Sequence, residues 1–315
     1  MEARRREPTI KADDIPKGAY KLGLLATTMI WGGSFVVLKD TLSALPPSWL
    51  LAIRFMLAGL ITTVLFWRRL RANLDGSHLL AGTIIGVTGG AAYLVQNIGL
   101  VTTTPAKNAF LTATYCAMVP FVYWAIGRGR PRWNNLAAAA LCVCGTFLVT
   151  LGGAAGGIAG FRMGEGDVLS LVGAFFFAVN IVAISVLAPA HDELTLSVVQ
   201  LYVFGLFSAV AALVLGEPVP TAATFTPEVL AKLAYVILLA TVFAIIMQNM
   251  AQARVESAQA ALLMSFESVF GVVFSIIFYH EQVTLAMLAG FAAIFAAILV
   301  SELAGRPRET EETLA

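Results

Sequence analysis

The chain has 315 residues, of which 59% are hydrophobic and 12% charged, with a formal net charge of +1 and a mean hydropathy of +0.84. An ordinary soluble domain carries roughly twice that charged fraction, about 25%, so the composition excludes a soluble enzyme and a disordered chain. It also excludes a nucleic-acid binder, whose basic footprint is missing, and three cysteines (Cys116, Cys142, Cys144) are too few for a disulfide scaffold. The chain is expected to lie in a lipid bilayer.

A membrane-crossing helix needs about 20 mostly apolar residues. Stretches of that kind occur at about 20–38, 48–67, 78–98, 104–126, 133–151, 168–187, 195–215, 229–250, 256–278 and 283–302. The breaks carry turn chemistry, as at Pro46-Pro47, Asn73 to Ser77, Gly127 to Pro131 and Gly216 to Pro220. Only Arg254 and Glu256 mark the boundary between spans 8 and 9. The apolar runs do not alternate with period two, which argues against a membrane barrel. Trp49, Trp67, Trp124 and Trp133 fall near span ends, where interfacial aromatics belong.

Positive charge sets the orientation. With a cytoplasmic amino terminus, 15 of the 20 basic residues fall inside, among them Arg68, Arg69, Arg71, Arg128, Arg130 and Arg132. Lys39, Lys107, Arg162 and Lys232 fall outside, and Arg54 lies within span 2. The expected fold is all-α and integral to the membrane, with ten transmembrane helices and both termini cytoplasmic. Residues 1–19 form a polar tail without a cleavable signal layout, so span 1 is expected to stay in the mature protein. Residues 303–315 form a second tail. The glycine-rich stretch within 152–167 lacks the Lys-Ser/Thr ending of a phosphate loop and is expected to be an extracytoplasmic linker.

The chain repeats itself. A shift of 152 positions places Gln96-Asn97 on Gln248-Asn249, Ala109 on Ala261, Leu111 on Leu263 and Tyr115 on Glu267. A shift of 146 places Trp31 on Phe177, Ser34 on Asn180 and Arg54 on Gln200. Residues 20–151 therefore correspond to 168–302. Five spans per half is an odd number, so the second half enters the membrane from the opposite side. Such inverted repeats build secondary transporters, with the substrate site near midplane where the halves meet.

Several short motifs stand in a recognisable order: Trp31-Gly32-Gly33-Ser34-Phe35, Arg54-Phe55, Asn108-Ala109-Phe110-Leu111-Thr112 through Pro120, and Ser265-Phe266-Glu267 followed by His280-Glu281. Together they resemble the EamA-type transporters of the drug/metabolite transporter superfamily. The last is similar to that family's "slEPvf…lgE.l" signature. The resemblance covers nearly the whole chain. It implies ten helices, movement of small organic solutes such as amino acids, sugars, nucleotide precursors or vitamins, and no hydrolysis of a nucleotide. Ser268 stands where the family usually has Pro, which bears on the kink expected there.

Intramembrane polar groups are the candidates for the site. Glu267, deep in span 9, is either a group that binds a cationic or amine-bearing substrate and couples transport to a proton, or a carboxyl that serves helix packing. Asn108, Thr112 and Tyr115 share one face of span 4 at i, i+4, i+7. Tyr93 and Asn97 share a face of span 3 with Gly89 and Gly90. Trp31 with Ser34, and Phe177 with Asn180, occupy matching places in spans 1 and 6, and the two aromatic rings are placed to sandwich a substrate. The alternative for all of these is interhelical packing. Arg54 has the charge to attract an anionic group, but it is shallow enough to snorkel and a structural use is favoured. Lys39-Asp40, His280-Glu281 and His78 are read as solvated helix ends. Spans 5 and 10, rich in small residues, are expected to pack on each other away from the path.

The expected function is a secondary transporter, an exporter of small metabolites or amino-acid-like solutes in the inner or plasma membrane. Its expected partners are the bilayer and a small-molecule solute, with no metal, cofactor or nucleic acid, and the sequence leaves the oligomeric state open, a monomer being one option. The alternatives are a lipid-linked substrate flippase, which the same superfamily includes, and an integral-membrane transferase. The latter needs carboxylate or His/Cys clusters at a membrane face. Asp13-Asp14 and Asp192-Glu193 are the nearest approach to one.

Overall fold

A computed structural model describes residues 16–128, 130–152, 163–252 and 257–303. The glycine-rich stretch, the Arg254–Glu256 boundary and most of both tails lie outside the described residues. Those that are described form helices joined by short turns, with no strand among them. The helices are α1 (Lys17–Thr41), α2 (Pro47–Asn73), α3 (Gly76–Thr102), α4 (Pro105–Ala113), α5 (Tyr115–Ala125), α6 (Trp133–Gly152), α7 (Glu165–Leu187), α8 (Glu193–Val214), α9 (Pro227–Ala234), α10 (Ala244–Gln252), α11 (Ser257–Tyr279) and α12 (Leu285–Leu303). They lie where the apolar spans predict, with two departures. Span 4 is broken at Thr114 into α4 and α5, and a π-helical stretch, Tyr235–Phe243, links α9 to α10. α11 continues through Ser268 as one helix.

Six helical segments are long and apolar enough to cross a membrane: Gly18–Thr41, Pro47–Asn73, Gly76–Thr102, Glu165–Ala190, Glu193–Val214 and Pro227–Gln248. Shorter apolar helices occupy Trp133–Val149, Phe266–Tyr279 and Leu285–Val300.

Local chemistry starts the helices where they start. The Asp75 carboxylate accepts the His78 backbone N–H (2.9 Å) and caps α3. Asp192 does the same for α8 through the Thr195 N–H (2.9 Å). Thr104 and Thr226 cap α4 and α9, each followed by a proline at the first helical position, where a missing N–H costs nothing. At the turns after α5 and α8, Gly127 and Gly216 take positive φ (76° and 66°).

Side-chain size decides how closely the helices approach. A Cβ on Gly82 or Gly86 of α3 would stand 2.4 Å from Val199 or Val203 of α8. In a bilayer, where no hydrophobic force drives one helix onto another, such close backbone packing supplies the attraction. The α6 and α12 helices meet through Gly145 and Gly290, where a Cβ on Gly290 would lie 2.6 Å from the Gly145 carbonyl oxygen. Spans 5 and 10 thus pack on each other. The largest apolar cluster gathers Leu50, Leu51 and Phe55 of α2, Leu201 and Phe204 of α8, and Val236 of the π-helical stretch.

The bundle has two polar ends. One carries the arginines of the α2–α3 and α5–α6 turns together with the α7–α8 turn. There Arg69 pairs with Asp192 (2.6 Å), and the Asp192 N–H donates to His78 Nε2 (3.0 Å). His78 Nδ1 therefore carries the proton that it shares with Asp75 (2.8 Å). His78 is buried here and not a solvated end. The opposite end carries the connections 42–46, 103–104, 215–226 and 280–284.

Burial alone would raise the pKa of Asp192, but hydrogen bonds from Arg69 and from the Thr195 N–H and hydroxyl outweigh it and hold the carboxyl below the usual aspartate range. A carboxyl whose pKa is depressed on folding adds stability above its unfolded value, and that stability is lost as pH falls through the folded one. Asp192→Asn is therefore expected to lower the thermal unfolding midpoint at pH 7, with the gap from wild type closing below about pH 4. At the other packing seam, Gly290→Leu should destabilise by about 1–3 kcal/mol through forced separation of α6 and α12. Val143→Leu, on the exposed face of α6, should leave the midpoint unchanged.

Candidate functional site

The π-helical stretch anchors two residues of the site, Arg54 and Trp31. Its wide register lets the Thr241 hydroxyl donate to the Val236 carbonyl five residues earlier (2.8 Å). The same oxygen accepts the Arg54 Nε–H from α2 at 2.7 Å. The neighbouring Ala240 carbonyl accepts from both Arg54 Nη2 (3.3 Å) and Trp31 Nε1 (2.8 Å). Arg54 is only 3% exposed, and its guanidinium lies 5.0 Å from the Phe55 ring and 5.6 Å from that of Tyr93. It does not snorkel. Packing of α2 against α8 and the π-helical stretch turns its side chain inward, which corrects the expectation that it snorkels.

Beside Arg54, Tyr93 of α3 meets Phe177 of α7 edge to face at 5.0 Å. Tyr115 of α5 lies 6.2 Å from the same Phe177 ring. Asn180 donates to the Ile85 carbonyl (2.8 Å) and Thr88 (3.1 Å), which holds α7 on α3. Gln96 donates to Thr112 (3.2 Å), and Ser34 to the Trp31 carbonyl (2.7 Å).

These side chains surround a cavity of about 450 Å³. Trp31, Ser34, Tyr93, Thr112, Tyr115, Phe177, Asn180 and Glu267 all line it. Arg54 and Glu267 both line it, and no ion pair joins them among the described residues. The cavity runs towards the arginine-rich end, past Ser185, Ser197 and the exposed Pro189 and Glu193. It is lined by none of Lys39, Thr103, Thr104, Asp167 or Glu281 at the opposite end.

Two expected residues are not part of the lining. Asn97, 1% exposed, donates to the Tyr93 carbonyl of its own helix (2.8 Å). Asn108, fully buried, donates to the Gln96 carbonyl (3.2 Å) and Ser170 (2.8 Å). Helical spacing gives the face of each residue but not how far along a helix a cavity extends. At the level of Asn108 the cavity has closed, because α3 and α7 touch there: a Cβ on Gly166 would lie 2.4 Å from the Gly99 carbonyl oxygen.

A model of the EamA-like transporter family matches the chain twice, over residues 19–151 and 164–303. The chain belongs to the EamA-like transporter family. Two curated relatives, both named uncharacterized transporters of Archaeoglobus fulgidus, agree with this. One is 28% identical over 92% of this chain and 88% of its own length. The other is 30% identical over 82% and 89%. A solved crystal structure superposes with a TM-score of 0.64 at 17% identity, covering 91% of this chain and 97% of its own, and so shares the fold. This EamA-like protein is accordingly a multi-pass membrane protein of the transporter type.

Sequence reasoning missed Arg54, Gln96, Gln200 and Gln248 as lining residues of the EamA-like chain. The signal was present in the repeat. Five polar or aromatic pairs that the two offsets superpose (Trp31/Phe177, Ser34/Asn180, Arg54/Gln200, Gln96/Gln248 and Tyr115/Glu267) line this one cavity, whereas Asn97, which the same offset places on Asn249, and the pair Thr62/Ser208 do not. The buried amides outside the cavity should matter to the fold. Asn108→Ala, which removes two buried hydrogen bonds, is expected to lower the thermal midpoint by several degrees, at about 1–3 kcal/mol for the groups left unpaired. Gln200→Ala, at the half-buried cavity wall, is expected to change it little.

Proposed function

We propose that this EamA-like protein is a secondary transporter in the plasma membrane. It exports small organic metabolites of amino-acid-like character by alternating access between two inverted five-helix repeats. The carrying observation is that the five repeat-related pairs converge on a single cavity between the halves. Several features support the inverted arrangement, with ten crossings and both termini cytoplasmic. The family model matches twice. The helix pairing has the pattern that a two-fold operation predicts: α1 packs on α11 as α4 and α5 pack on α7, while α2 with α8 and α6 with α12 pair across the axis. The arginine-rich end fits the cytoplasmic side by the positive-inside rule, so the cavity faces inward.

The lining supports the substrate class. A solute with a cationic and an anionic end finds Glu267 and Arg54 in one cavity, with aromatic rings for its apolar part. Arg54 spends its Nε and one Nη2 hydrogen on the protein, and the remaining donors of its fork suit a carboxylate. A volume of about 450 Å³ lies in the range of small-molecule sites and favours a compact solute over a lipid-linked one. Glu267 is also the group placed to exchange a proton for the amine. The transporter names of the relatives support this reading over a transferase.

In proteoliposomes loaded with a mixture of amino acids, sugars and organic cations, efflux of at least one zwitterionic solute is expected. Glu267→Gln and Arg54→Gln should each reduce that flux by about tenfold or more, the loss of a buried charge-assisted contact. Glu267→Gln should also remove its dependence on an imposed pH gradient. Flux confined to uncharged sugars would overturn the substrate class, and no flux of any solute would overturn transport.

A further inference from the structure

Two sets of polar side-chain contacts that join α1 and α11 to α3 and α4 lie at the end opposite the arginines. They share one form. A charged side chain from one helix group sits on the terminus of a helix in the other, with the sign that the helix dipole requires. Lys39 of α1 donates to the Leu100, Val101 and Thr103 carbonyls at the carboxyl end of α3 (2.7, 2.8 and 2.9 Å). Those carbonyls lack partners within the helix and carry its negative pole. Glu281, just beyond α11, accepts from the Thr104 hydroxyl (2.5 Å) and the Ala106 N–H (3.3 Å) at the positive amino end of α4. Ser275 of α11 donates to the same carboxylate. Both were read from the sequence as solvated ends, and the contacts correct that.

Below these caps the groups cross tightly. A Cβ on Gly271 of α11 would lie 2.7 Å from the Ala109 Cβ of α4. One turn further, Thr112, Tyr115 and Glu267 already line the cavity. The geometry is that of a wedge, closed by reciprocal caps at one end and open at the other.

We infer that Lys39 and Glu281 form an extracytoplasmic latch, a pair of exchanged helix caps that holds the inward-facing state and must release both helix termini before the cavity can open outward. This rests on the orientation and alternating access proposed above, with α1 and α11 moving against α3 and α4: Glu281 bridges the two repeats, whereas Lys39 joins two helices of the first. Opening would return three carbonyls and an N–H to water, so the ammonium and carboxylate bias the equilibrium without blocking it. Glu217 makes a superficially similar cap, accepting from the Ser48 and Trp49 N–H groups at the start of α2 (3.1 and 3.3 Å). It lies on the α2–α8 seam, however, which is closely packed where Gly205 meets Met56 and Gly59 meets Tyr202. Glu217 therefore belongs to a fixed spine.

The test is accessibility of the full chain in its membrane. Leu38→Cys, at the cavity wall one residue before Lys39, is placed in a background with Cys116, Cys142 and Cys144 replaced by Ala. It is probed with a membrane-impermeant maleimide on intact cells and on inverted vesicles. The latch predicts labelling in vesicles and little in cells. Either Lys39→Met or Glu281→Gln should raise labelling in cells by roughly tenfold as the population shifts, while Glu217→Gln lowers thermal stability without that rise. Unchanged cell labelling in both latch variants, when each still labels in vesicles, overturns the inference, as does an equal rise with Glu217→Gln. The readout does not need a substrate. A labelling shift without solute flux leaves the latch and removes the transport reading, whereas flux without a shift does the reverse.

Discussion

Within a hydrocarbon layer a polar side chain needs a partner inside the protein, because no water is there to supply one. This bundle meets the requirement in two ways. Some polar groups close on the backbone of a neighbouring helix, as Asn108 does on Gln96 and Asn180 on Ile85. Others collect around one shared space, where Arg54 and Glu267 stand in the same cavity without pairing. The second arrangement depends on the first: the cavity keeps its shape because the amides around it lock α3, α4 and α7 together. A buried guanidinium is tolerable where it can rest on ring faces and carbonyls, as Arg54 does on Phe55, Tyr93 and Ala240.

The halves share a scaffold and differ in chemistry. Where the first has Arg54 and Tyr115, the second has Gln200 and Glu267. Each half thus contributes one acidic or basic side chain and one partner that is neither, and the cavity is chemically asymmetric although the framework is symmetric. A duplicated frame places side chains at equivalent depths, and substitution then gives those depths different electrical character.

Much of the fold was legible in the sequence because the bilayer sets the length of each apolar run and the turns carry Pro, Gly and capping residues. The helices lie where the runs lie. Of the expected site residues, eight line the cavity, and the repeat offsets already contained the four that went unrecognised. What failed has a common cause. Sequence gives the depth and face of a residue on its own helix, but not what the facing helix presents there. Arg54 finds its partners in Thr241 and Ala240, far along the chain, and Lys39 finds its own at Leu100 to Thr103. Nothing near either residue announces the partner, so both looked like surface charges. Asn97 and Asn108 erred the other way: their faces are interior, but at their depth the interior is packed.

The π-helical stretch has a consequence for the register of the two halves. The offset that superposes them grows from 146 to 152 between Arg54/Gln200 and Gln96/Gln248; most of the difference lies in the α8–α9 connection, which is longer than the α2–α3 turn, and Tyr235–Phe243 follows in the same interval. A helix that bonds i to i+5 can house an added residue without expelling it into a loop. Trimming one residue there would wind the stretch back to ordinary pitch and swing everything downstream by roughly 100°, carrying Gln248 away from its counterpart. The segment should accordingly tolerate exchange of its side chains far better than any change in its length.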